Sequence, residues 1–164
     1  MAFRLSPGVE QWFSHLDGKA PFRTKFDLYY LCLMLGLASG RRADPAGPDF
    51  IDYFVDTYKS SQRLIAGLLT VAELKKLGID MEDKAAVRKV IAELFDPAAP
   101  TGLSDEGIKS LNRYASGGFA HLTEAVEKPH HAEAFLPEYH QLLQSAIDGS
   151  DVWKAKAKDA KGNK

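Results

Sequence analysis

The run Leu28-Tyr-Tyr-Leu-Cys-Leu-Met-Leu-Gly36 constrains this chain more than any other segment. Thr24 with Asp27 resembles a capping box, with Asp in place of the usual Glu or Gln, and opens a helix from about Lys25 to Ala38. Ser39-Gly40 closes it, and Arg41-Arg42 follow where the negative end of the helix favours cations. A helix that is apolar almost all the way round belongs at the centre of a core or between subunits. The chain has 164 residues and 45% hydrophobic content, enough to build that core as one domain without a disulfide or metal staple. Its one cysteine, Cys32, lies inside the run and reads as a small buried hydrophobe in a reducing compartment.

The remaining elements follow from periodicity and punctuation. Ser6-Pro7 reads as the start of a helix from Pro7 to about Leu16, with Val9, Trp12, Phe13 and Leu16 on one face. Residues 41–48, with Pro45, Gly47 and Pro48, form a loop. Asp49 then caps a third helical region to Leu77, broken near Ser60-Ser61 and stopped by Gly78; Phe50, Phe54, Tyr58, Leu64, Leu68 and Val71 carry its apolar face. A fourth helix spans about Lys84 to Leu94. A fifth is capped by Ser104 and runs to about Val126, with Gly117-Gly118 admitting another backbone. The last runs from roughly Ala132 to Ile147 and holds Pro137 in its first turns. The expectation is an all-α, mainly helical fold of about six helices in one domain, residues 1–150, and a basic, disordered tail at 151–164. Phe3-Arg-Leu-Ser6 alternates like a strand too short to stand alone, and could pair with a second copy of itself.

Neither a signal peptide nor a span of about 20 apolar residues is legible, so the expected location is the cytoplasm, away from membrane. Net charge is −1, which argues against coating nucleic acid by bulk electrostatics, but the charge is uneven. Residues 1–42 set Arg4, Lys19, Arg23, Lys25, Arg41 and Arg42 against Glu10, Asp17 and Asp27, a local +3 that leaves −4 elsewhere.

Catalytic and metal-binding patterns do not assemble. His121, His130, His131 and His140 fall beside Glu124, Glu127, Glu133 and Glu138, but the two-histidine i, i+4 spacing of a helical zinc site is missing. Asp49, Asp52 and Asp56 would share a helix face able to meet Mg²⁺, and a solvated acidic face is the simpler reading. The nucleophile-elbow, phosphate-loop and dinucleotide fingerprints are all absent. Aromatics at helical spacing, Phe50, Tyr53, Phe54 and Tyr58, read as core rather than as a base-stacking platform. Arg113, one turn before Gly117-Gly118, is a candidate phosphate or subunit contact. No catalytic residue, metal or cofactor is expected.

The order of landmarks resembles the DndE family, small helical proteins of bacterial DNA phosphorothioate modification systems. The similarity rests on Arg4-Leu5-Ser6, an amphipathic helix ending near Gly18, Thr24, Leu31-Cys32 through Leu33-Met-Leu-Gly-Leu37, Leu64-Ile-Ala-Gly-Leu-Leu69, and Asn112-Arg113 with Gly118. It touches most of residues 3–122. The chain departs from the family pattern in having Asp27 and Tyr30 before Cys32 and Leu33 after it, and in added length at 79–110 and beyond 123. The resemblance implies a ribbon-helix-helix-like N-terminal part, self-association, and binding to DNA or to a modification complex rather than bond making.

On this reading the chain is a non-catalytic, homo-oligomeric, DNA-associated accessory protein of a bacterial DNA modification or phage-defence system. It would hold the phosphate backbone, independently of sequence, through Arg4, Lys19, Arg23, Lys25, Arg41, Arg42 and Arg113. The alternative is a scaffold or adaptor subunit of such a complex that binds protein partners only, which the overall acidic balance favours. A small metal-dependent nuclease using Asp52 or Asp56 is a third reading.

Overall fold

The computed structural model describes residues 1–149, so the expectation of a disordered tail at 151–164 lies outside the described residues. Within them the chain forms seven helices and one two-stranded sheet, in the order β1 (Phe3–Arg4), α1 (Val9–Trp12), α2 (Lys25–Ser39), β2 (Asp49–Ile51), α3 (Asp56–Lys59), α4 (Gln62–Leu77), α5 (Lys84–Leu94), α6 (Asp105–Ala125) and α7 (Ala132–Asp148). The mainly helical fold is as expected. The count rises because the third helical region resolves into α3 and α4 on either side of Ser60-Ser61.

α2 is the central helix. The Thr24 hydroxyl accepts from the Asp27 amide and the Asp27 carboxylate accepts from the Thr24 amide, completing the capping box, while Gly40 ends the helix at φ +72°. Phe26, Leu28, Tyr29, Cys32, Leu33 and Leu35 are buried. α6 covers one side and α7 another, where the Tyr139 hydroxyl donates to the Leu31 carbonyl at 2.7 Å. The α2–α6 contact is a backbone-to-backbone one. A Cβ on Gly36 would collide with the Tyr114 carbonyl, and one on Gly118 with the Cys32 carbonyl.

Three expectations are corrected by tertiary contacts. α1 covers only Val9–Trp12, because Gly8 takes φ +87° as its N-cap and separates Pro7 from the helix; Val9, Phe13 and Leu16 still reach the core through the turns that follow. Asp49 opens no helix. It lies in β2, paired antiparallel with β1, and its carboxylate accepts from Arg4 Nε at 2.7 Å instead of capping. On α4 the buried apolar residues are Ile65, Leu69 and Leu74, whereas Leu64 and Val71 are 53% and 36% exposed. The uncharged stretch 64–71 offers apolar residues to two opposite faces, so periodicity alone does not choose between them.

β1 needs no second copy. One edge bonds to β2, and the other is closed by the buried Asn112 of α6, whose Oδ1 accepts from the Arg4 amide at 3.0 Å and whose Nδ2 donates to the Ala2 carbonyl at 3.1 Å. The same Oδ1 accepts from the Tyr29 hydroxyl at 3.0 Å. Asn112 thus joins β1, α2 and α6, and Phe3 is carried into an aromatic cluster with Phe26, Tyr29 and Phe54. Replacing Asn112 by Ala leaves three polar groups without their partner, the Tyr29 hydroxyl buried and the Arg4 amide and Ala2 carbonyl partly buried; at about 1–3 kcal/mol for a buried unpaired group, Asn112→Ala should lose about 2 kcal/mol or more in urea unfolding, against a far smaller loss for Asn→Ala at a solvated position. A loss under about 1 kcal/mol would show that Asn112 does not hold β1.

Candidate functional site

The loop after α2 is fixed to α6 by three contacts. The Arg41 carbonyl lies where a Cβ on Gly117 would be, the Ala43 amide donates to the Arg113 carbonyl at 3.0 Å, and the Ser116 hydroxyl donates to the Asp44 carbonyl at 3.1 Å. This aims Arg41 and Arg42 to opposite sides. Arg41 donates from both terminal nitrogens to Glu124, at 2.6 and 2.9 Å, and approaches His121 Nδ1 at 2.9 Å. The Arg41 hydrogen bond holds the Glu124 carboxyl below its usual range, and burial followed by the Arg41 charge lowers the His121 pKa. The His121–Glu124 pair considered as metal ligands is therefore engaged with a guanidinium.

Arg42 turns inward. Its guanidinium stacks over the Tyr114 ring at 5.2 Å and faces Glu73 across 3.8 Å, a Coulomb contact rather than a hydrogen bond. Glu73 has 7% of its side chain exposed and is also met by Lys76 at 2.9 Å.

The remaining candidate cations divide in the same way. Arg4 is paired with Asp49 and Lys25 with Glu10 at 2.8 Å. Arg113 is half-buried on α6; Arg23 and Lys19 are exposed, and among the described residues these three enter no ion pair. The seven do not form one face. Lys19 instead shares a patch with residues the sequence placed far away. His15 stacks against His130 with ring centroids 4.7 Å apart, and Lys128, Lys19 and His131 also act on it electrostatically, all with positive charge. Histidine spacing along the chain carried no trace of this cluster, because residues 15–19 and 128–131 meet only when α7 folds back over α2.

Chemistry finds little purchase elsewhere. Among the described residues no three His, Cys, Asp or Glu side chains converge as metal ligands. Asp49 and Asp56 do not share a helix face, since the first is in β2 and the second in α3 paired with Lys59. Burial pushes the Cys32 thiol up to about 12, leaving it protonated and unreactive. A recess of about 550 Å³ contains Ser6, Glu10, Lys25 and Asp49, but Glu10 is committed to Lys25 and Asp49 to Arg4. Phe50, Phe54 and Tyr58 pack against Phe26, so this aromatic series is core, with only Tyr53 open to solvent.

No known protein family, curated protein or solved structure matches the chain.

Two measurements test this electrostatic arrangement. Partial desolvation, then the charges of His130, Lys128, Lys19 and His131, hold the His15 pKa below the ordinary 6.5. The unfolded chain therefore binds the proton first, so this group's stabilising contribution is full above about pH 6.5 and is lost as pH falls toward its folded pKa. The melting temperature should drop between pH 7.5 and 5.5, and less steeply in His15→Gln; equal slopes would remove the cluster as a source. Arg42→Ala should cost about 2 kcal/mol, less than the roughly 3–5 kcal/mol of a buried pair with no second partner, because Lys76 remains beside Glu73. A neutral result would make the Arg42–Glu73 contact energetically idle.

Proposed function

We propose that the chain is a non-catalytic adaptor, an accessory subunit that acts by binding other proteins. The observation that carries this reading is that four of its seven candidate phosphate-binding cations, Arg4, Lys25, Arg41 and Arg42, are each matched by a carboxylate of the same chain. Exposed ion pairs are individually weak, worth about 0–1 kcal/mol, so their strength is not the point. The Arg4, Lys25 and Arg41 pairs present no net charge to a phosphate, and Arg42, which shares Glu73 with Lys76, is turned inward; affinity for a nucleic-acid backbone scales with the number of phosphates that uncompensated cations can neutralise.

A DNA-associated accessory role in a modification or phage-defence complex, the reading the resemblance implies, is favoured by a different observation. Lys19 stands with His15, Lys128, His130 and His131 in a patch where every charge acting on His15 is positive. If that reading holds, contact with DNA runs through this patch, not through Arg41 and Arg42.

Light scattering on the protein with a short nicked duplex, at moderate and at high salt, separates the two. The adaptor reading expects no gain in mass at moderate salt, in the native chain or in Arg41→Glu with Arg42→Glu. A gain that salt releases and that Lys19→Glu with Lys128→Glu abolishes would replace the adaptor by the DNA-associated role.

A further inference from the structure

A cavity of about 320 Å³ lies between the first turns of α4 and the turn that joins α5 to α6. Its inner wall is apolar, made by the buried Phe54, Ile65 and Leu103 with the half-buried Phe95 beside them. The turn is tied down at both ends and across its middle. Phe95 and Leu103 face each other in an antiparallel bridge, the Asp96 amide donates to the Gly102 carbonyl at 3.1 Å, and the Gln62 side-chain amide donates from α4 to the Thr101 carbonyl. These bonds fix the turn against α4, so the cavity is pre-formed, as small-molecule sites usually are.

Charge at this cavity has one sign. Lys59 and Arg63, both exposed, stand at its rim, and among the described residues no carboxylate lines it. Arg63 enters no ion pair among the described residues. Lys59 meets only Asp56, a contact between two exposed groups that a competing anion displaces at little cost. Two other recesses carry acids instead: the 550 Å³ one sets Glu10 and Asp49 against Lys25, and one of about 350 Å³ is lined by Asp49, Asp52 and Asp105 with no side-chain cation.

We infer that the cavity between α4 and the α5–α6 turn binds a small organic monocarboxylate, its apolar body against Phe54, Ile65 and Leu103 and its carboxylate at the rim between Lys59 and Arg63. Arg63 supplies the planar pair of donors that matches a carboxylate, and Lys59 adds a point charge. Neither half of the site suffices alone. The apolar wall favours burial of a hydrocarbon body without orienting it, and two exposed cations hold a bare anion only weakly in water. The volume admits a single aromatic ring or a short alkyl chain, at the low end of the range for small-molecule sites. The inference does not rest on the adaptor role, since it concerns a ligand held by one chain whether or not a partner protein is bound.

The test is calorimetric titration of the full chain with 3-phenylpropionate, with acetate as the charge lacking the body and 3-phenylpropionamide as the body lacking the charge. 3-Phenylpropionate should bind once per chain with a Kd below about 1 mM, and acetate and the amide at least about tenfold more weakly. Arg63→Glu, at an exposed position that leaves the fold intact, should weaken 3-phenylpropionate by about tenfold or more. Ala66→Leu places a larger side chain in the cavity from a half-buried position of α4 that suits leucine, and should abolish binding with unchanged helical circular dichroism. No saturation by 3-phenylpropionate in this range, acetate or the amide binding as tightly, or binding that survives Arg63→Glu or a folded Ala66→Leu would each overturn the proposal.

Discussion

The backbone contact between α2 and α6 is the constraint from which the rest of the architecture descends. Gly36 admits the Tyr114 carbonyl and Gly118 admits the Cys32 carbonyl, so the two helices approach at a separation no pair of side chains would permit. At that distance α6 places Asn112 against the start of the chain and Gly117 beneath the loop that leaves α2. A short strand, a central helix and a loop are thereby ordered by one face of α6. An added methyl group at this contact has backbone on its far side and nowhere to move, which is why interiors resist enlargement so strongly.

The same geometry governs the electrostatics. A loop held to α6 by the Arg113 and Asp44 carbonyls must present consecutive arginines in different directions, and each finds an acid: Glu124 at the rim and Glu73 in the interior. Charge that looks like a basic N-terminal stretch in the sequence becomes a set of local pairs. A separate group of positive charges, Lys19, Lys128, His130 and His131, acts on His15, where the turn after α1 meets the connection between α6 and α7. Exposed apolar side chains and this group of positive charges consequently fall on separate regions, most of the former on α4, α5 and the turn between them and the latter beside α1.

Local signals were legible wherever the determining physics is local. Thr24 and Asp27 cap their own helix, Asp83 and Ser104 accept from amides three residues on, and Gly40 and Gly78 end helices in the left-handed conformation, so α2, α5, α6 and the end of α4 can be placed from the residues. The need for close approach at Gly117-Gly118 is legible too, though not which backbone fills it. Asp49 shows where such reading stops. It is an excellent capping residue by type, and Arg4, 45 residues away in the chain, claims its carboxylate and turns the segment into a strand.

By itself, then, the sequence determined the helical class, the single core, the central position of the Leu28–Gly36 run and the burial of Cys32, because these follow from hydrophobic periodicity, capping and chain length. Only the tertiary structure decided which face of α4 is buried, which strand Phe3–Arg4 joins, and which cations are neutralised and by whom. Each of these depends on a partner far away in sequence. The free energy that selects it comes from burial and pairing between segments, and no local pattern carries that information.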